Sequence, residues 1–95
     1  EVLLSIAAQA DVVRKVWDES FSALKKSDFN TGTKAADLGE DASAWRAKFP
    51  NLLKKLPAEA VTPLALIADS LDRIRGYAVD IAETAMNHTF VAESK

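Results

Sequence analysis

The 95-residue chain has room for one domain with a modest core, since a chain this short buries about 60–65% of its unfolded surface. Apolar residues at 48% and a formal charge of -2 exclude disorder, and three Gly with three Pro are too few for the turns of a sandwich or barrel. Twelve basic against 14 acidic residues leave no global field to draw nucleic acid, and the lack of Cys excludes disulfides, thiolate metal sites and cysteine nucleophiles.

The first element follows from Leu3, Ile6, Ala10, Val13, Trp17, Ser20 and Leu24, which recur at steps of three and four and predict one helix over about 2–27. Ser27 to Gly32 gathers turn and capping residue types, which ends it. A second register, Ala35, Leu38, Ala42, Trp45, Phe49, Leu52 and Leu56, predicts a helix over 33–56 capped by Asn30, Thr31 or Thr33. Pro50 removes a backbone hydrogen bond there, so a bend or break is expected near Phe49.

After the turn at Leu56-Pro57, a third helix is predicted over 59–90 from Ala60, Leu64, Ile67, Leu71, Ile74, Ala78, Ile81, Ala85 and His88. Its steps alternate four and three throughout, the repeat that shallow helix packing imposes. Short turns between long helices give an all-α, antiparallel up-down-up three-helix bundle. Val2, Val12, Val16, Leu53, Val79 and Met86 fall beside these stripes and predict burial against another helix or subunit, so a homo-oligomer or tandem repeat is expected. The longest apolar run, 60–68, is interrupted by Thr62 and Pro63 and is far shorter than a membrane span.

Few residues carry chemistry. His88, the one histidine, lies on an apolar register with no nucleophile or orienting carboxylate in evident reach, and reads as a partly buried helix-end residue. No Gly-rich phosphate cradle or nucleophile elbow exists, so an enzyme is not expected. Arg46, Lys48, Lys54 and Lys55 form a local basic patch of the kind ordinary surfaces carry, and nucleic acid is not expected as a partner. Asp37 and Asp41 share one face of the second helix, while Asp69, Asp72, Asp80 and Glu83 form an acidic band on the third, interrupted by Arg73 and Arg75. Carboxylates on facing helices can build di-metal sites, or can simply be a solvated face.

The third helix reads Leu71-Asp72-Arg73-Ile74-Arg75-Gly76-Tyr77-Ala78-Val79-Asp80-Ile81-Ala82-Glu83. It resembles the signature helix of the PhoU family of phosphate-uptake regulators, in which a leucine, an acid and Arg-Ile precede an aspartate, then an alanine and an Asn-Ile-Ala-Glu ending. The stretch 21–28, closing on Asp28, is similar to the end of that family's first helix. The resemblance implies one three-helix repeat of a longer, cytoplasmic protein, which fits an apolar pattern that begins directly after Glu1. It implies regulation of phosphate uptake through contact with a transporter ATPase, a sensor kinase or the rest of the parent chain, peripheral to a membrane at most. Asp69, Asp72, Arg73, Asp80 and Glu83 would face that partner. Related modules act beside DNA-binding or cation-transport regulatory domains, which implies dimerisation as an alternative role. Some family members hold iron or zinc, and Asp37, Asp41 and Asp72, with Asp80 as a substitute, match those ligand positions. The family's second aspartate is Gly76 here, which interrupts the motif.

Overall fold

The computed structural model describes the backbone of residues 1–94 and the side chains of residues 1–88. All regular structure among them is helical: α1 (Val2–Lys26), α2 (Phe29–Ala42), α3 (Ala44–Lys48), α4 (Pro50–Leu53) and α5 (Ala58–Ser94). The rod they form measures 58 × 17 × 17 Å.

The boundaries have local causes. α1 ends where Ser27 turns left-handed at φ 53°, ψ 48°, and the N–H groups of Ser27 and Asp28 then donate to the carbonyls of Leu24 and Ala23. α2 starts four residues earlier than the sequence predicts, because its cap is Asp28 and not Asn30, Thr31 or Thr33. The Asp28 carboxylate accepts from the backbone N–H of Asn30 at 3.0 Å and of Thr31 at 3.4 Å, and the Thr31 hydroxyl donates to it at 2.8 Å. Those bonds, led by the Thr31 hydroxyl, hold the Asp28 carboxyl below the ordinary aspartate range. A carboxyl with a depressed native pKa stabilises the fold above its unfolded pKa and loses that contribution as pH falls through the native value. Asp28→Ala should therefore lower the melting temperature at neutral pH, and circular-dichroism melts should show the gap from the parent closing in strong acid.

The expected break near Phe49 is present, and a second, at Ser43, is not legible in the hydrophobic register. Both junction residues keep right-handed helical angles, so α2, α3 and α4 follow one another with tightened turns as one forward path, the second rod of the bundle. At the first, the Ser43 N–H donates to Glu40 at 3.1 Å while the Ser43 hydroxyl donates to the same carbonyl at 2.6 Å. At the second, Pro50 occupies the first position of α4, where its missing N–H is least costly. Pro63 lies inside α5 without ending it.

Contacts fix the chain directions. Gly32 meets Ala23 of α1 and Ala82 and Met86 of α5, whereas Gly39, two turns on, meets Val16 and Val79. Further along, the Gln9 side chain donates to the Ala42 carbonyl at 3.1 Å and the Trp45 indole to the Ser5 hydroxyl at 2.9 Å. The second rod thus descends along both of its neighbours as it advances, and α1 and α5 run alongside each other in one direction.

Packing shows why the single registers were incomplete. Each long helix touches two others, so its buried arc holds two interleaved stripes. On α1 the buried line is Gln9, Val13, Val16, Ser20 and Ala23, which keeps Val13 and Ser20 of the predicted stripe and has Gln9, Val16 and Ala23 in place of Ala10, Trp17 and Leu24, while Leu3 and Leu24 are exposed. On α5, Ala68, Ala78, Val79, Ala82 and Ala85 are buried, Ile67 and Ile74 are exposed, and so is His88, six residues before the helix end. The reading of His88 as a partly buried helix-end residue is corrected accordingly. Val16, Leu53 and Val79, which fall beside the stripes and are expected to be buried against another helix or subunit, are core residues. One cluster joins Val16, Ala78 and Val79 with Trp17 and Leu38. The other gathers Val2, Ile6, Trp45, Leu56 and Leu64 around Phe49, Leu53 and Ala68.

Candidate functional site

The polar groups that the sequence singles out lie mainly along the seam between the second rod and α5. Small residues on α2 bring the backbones close there: Cβ atoms built on Gly32 and Gly39 would collide with Met86 and Val79. This closeness exposes the Gly39 carbonyl to α5, and the Arg75 guanidinium reaches it at 3.3 Å while binding the Asp72 carboxylate at 2.9 Å. Nearer the far end, Arg46 of α3 pairs with Asp69 at 2.7 Å. Both pairs are partly buried, so they are better shielded than the Arg14–Asp18 contact at 3.9 Å on the exposed side of α1.

These pairs redistribute the predicted site. Asp69 and Asp72 are occupied within the chain, and Arg46 is withdrawn from the basic patch, leaving Lys48, Lys54 and Lys55 exposed. Arg73, Asp80 and Glu83 remain exposed on α5, and Asp37 and Asp41 on α2. Among the described residues no three His, Asp or Glu side chains converge as a metal site requires.

The fit to iron or zinc fails for a chemical reason. Asp72, the third-helix carboxylate among the ligands that the family resemblance implies, is held by Arg75, so the seam already contains its own cation. Gly76, at the missing ligand position, offers no donor atom. A Cβ added there would meet nothing within 4 Å, which also removes close packing as the reason for a glycine at that point. The shift of Asp80 by one turn does not rebuild the set, because Asp80 is exposed and joins no such group. The Arg75 contact is the element that sequence reasoning missed. Its only signal was an arginine one residue before the lost aspartate.

Ser20 is fully buried, yet its hydroxyl has no hydrogen-bond partner, and its neighbours on the buried line of α1 are apolar or amide side chains. The depression lined by Asp11, Arg14, Lys15 and Asp18 is a gap between solvated side chains of a single helix. What the seam can do is hold two helices in register and present acids at its edge. Among the described residues, no helix is long and apolar enough to cross a membrane. Comparison with protein-family models, with curated proteins and with solved structures gives no match.

Proposed function

We propose that the chain is a PhoU-like three-helix module, arranged up-down-up, that acts without catalysis in the regulation of phosphate uptake. It works in the cytoplasm by binding a phosphate transporter ATPase or its sensor kinase. The observation that carries this reading is the order of residues from Leu71 to Glu83 on one continuous helix. The motif's Ala78, Val79 and Ala82 are buried, whereas its terminal acids, Asp80 and Glu83, stand exposed. A motif divided in this way supports packing by its apolar half and recognition by its charged half. The withdrawal of Asp69 and Asp72 into internal pairs narrows the recognition surface to Arg73, Asp80 and Glu83.

Pull-down against purified transporter ATPase and sensor-kinase domains should capture one of them, with capture weakened at least about fivefold by Glu83→Lys. A parent chain that binds neither would overturn the proposal. The alternative of a metal-binding carboxylate bundle is disfavoured by the Arg75–Asp72 pair. The alternative of a dimerisation domain for a DNA-binding or cation-transport regulator draws support from the apolar side chains left exposed on α1 and α5.

A further inference from the structure

We propose that α5 pairs with α5 of a second copy, antiparallel, about a twofold axis passing between Gly76 and Tyr77. The inference does not rest on the phosphate reading, although it draws on Arg73 and Asp80 of the same surface, and its readout, the oligomeric state, is separate from capture of a transporter or kinase domain. Leu66, Arg73 and Asp80 recur at steps of seven, with Tyr77 at an intermediate step of four, and all four are exposed, Leu66 at 59% and Tyr77 at 57%. Exposed Ile74 adds apolar surface beside them.

Two features make this face complementary to itself. Arg73 and Asp80 have no ion-pair partner among the described residues. Seven residues place them about 10 Å apart along the axis, too far to pair within one chain. A twofold axis between Gly76 and Tyr77 brings Arg73 level with Asp80 of the second copy and, by the same operation, Asp80 level with its Arg73. It also sets Tyr77 opposite Gly76 of the second copy. The notch at Gly76, where a Cβ would meet nothing within 4 Å, is then the space that receives the tyrosine ring. One isologous contact thus accounts for an exposed aromatic, an unfilled glycine and two unpaired opposite charges. A single helix face covers less than the ~800 Å² per partner of a standard interface, so the dimer is weak and reversible.

Sedimentation equilibrium of the chain from about 10 µM to about 1 mM, at low and high salt, should show a monomer–dimer equilibrium that salt weakens. Arg73→Asp and Asp80→Arg should each raise the dimer Kd by about tenfold or more, and the double exchange should restore it to within about threefold of the parent. Gly76→Trp should abolish the dimer while leaving the helical content of the dilute monomer unchanged. A chain that is monomeric throughout this range, or a dimer indifferent to both single charge reversals, would refute the contact. The charge exchange remains decisive if the tryptophan variant folds poorly.

Discussion

Alanine should have opposite effects at two glycines of this chain: Gly39→Ala is expected to lower the melting temperature and Gly76→Ala to raise it. Both lie in helix interiors, so each substitution gains about 1 kcal/mol of helix propensity. At Gly39 the added Cβ would overlap Val79 Cγ2 and lie 3.2 Å from Val16 Cγ1, and both valines are buried with little room to yield. Overpacking of this kind costs about 1–3 kcal/mol, and here the limiting contact is well inside normal separation, so the clash exceeds the propensity gain. A larger side chain goes further: Gly39→Leu should wedge α2 away from both neighbours, break the Arg75 bond to the Gly39 carbonyl and abolish cooperative unfolding. At Gly76 nothing opposes the gain, and a rise of about 4–8 °C is expected for a domain of this size. Circular-dichroism melts of dilute protein, where α5 self-association is absent, measure all three variants. Equal effects of alanine at the two positions would contradict the packing described for the seam.

The second large effect is expected at Phe49. Among the described residues it is the bulkiest fully buried side chain, at 1% exposure, and it sits at the junction where Pro50 interrupts the second rod. Its ring lies 4.7 Å from that of Trp45 and contacts the cluster that joins α1, α4 and α5. Phe49→Ala should cost about 3–5 kcal/mol, a large share of the stability of a domain this small. Phe29→Ala, at a half-exposed position, should cost less than about 1 kcal/mol. Urea unfolding followed by tryptophan fluorescence separates the two. Trp45 reports on the Phe49 cluster, and Trp17, with its ring 5.0 Å from that of Phe21, reports on the other.

Much of the fold was legible because helix periodicity survives without tertiary information. The all-helical class, the stop after Lys26 and the interruption at Phe49–Pro50 follow from local chemistry that the sequence states directly. What escaped was the rotation of each stripe. A helix between two neighbours buries two interleaved registers, and on α5 the one facing α2 contains Asp72 and Arg75, whose charge conceals it from a search for apolar repeats. Leu53 and Val79 fall beside the single stripes, and both are buried, as a second interleaved register requires. The start of α2 escaped because Asn30, Thr31 and Gly32 have turn chemistry, whereas Asp28 caps ahead of them and Gly32 serves close approach inside the helix. The candidate site was legible as a set of acids. Which acids were already spoken for depended on Arg46 and Arg75, residues that look like ordinary surface charges until their partners are in place.

The guanidinium of Arg75 has a wider consequence. A helical seam closed by a dissolved ion tightens and loosens with the supply of that ion, so its geometry reports on the surrounding medium. Here the positive charge is covalently part of α5. The spacing between α2 and α5 is therefore inherited with the chain and does not follow the supply of a free cation.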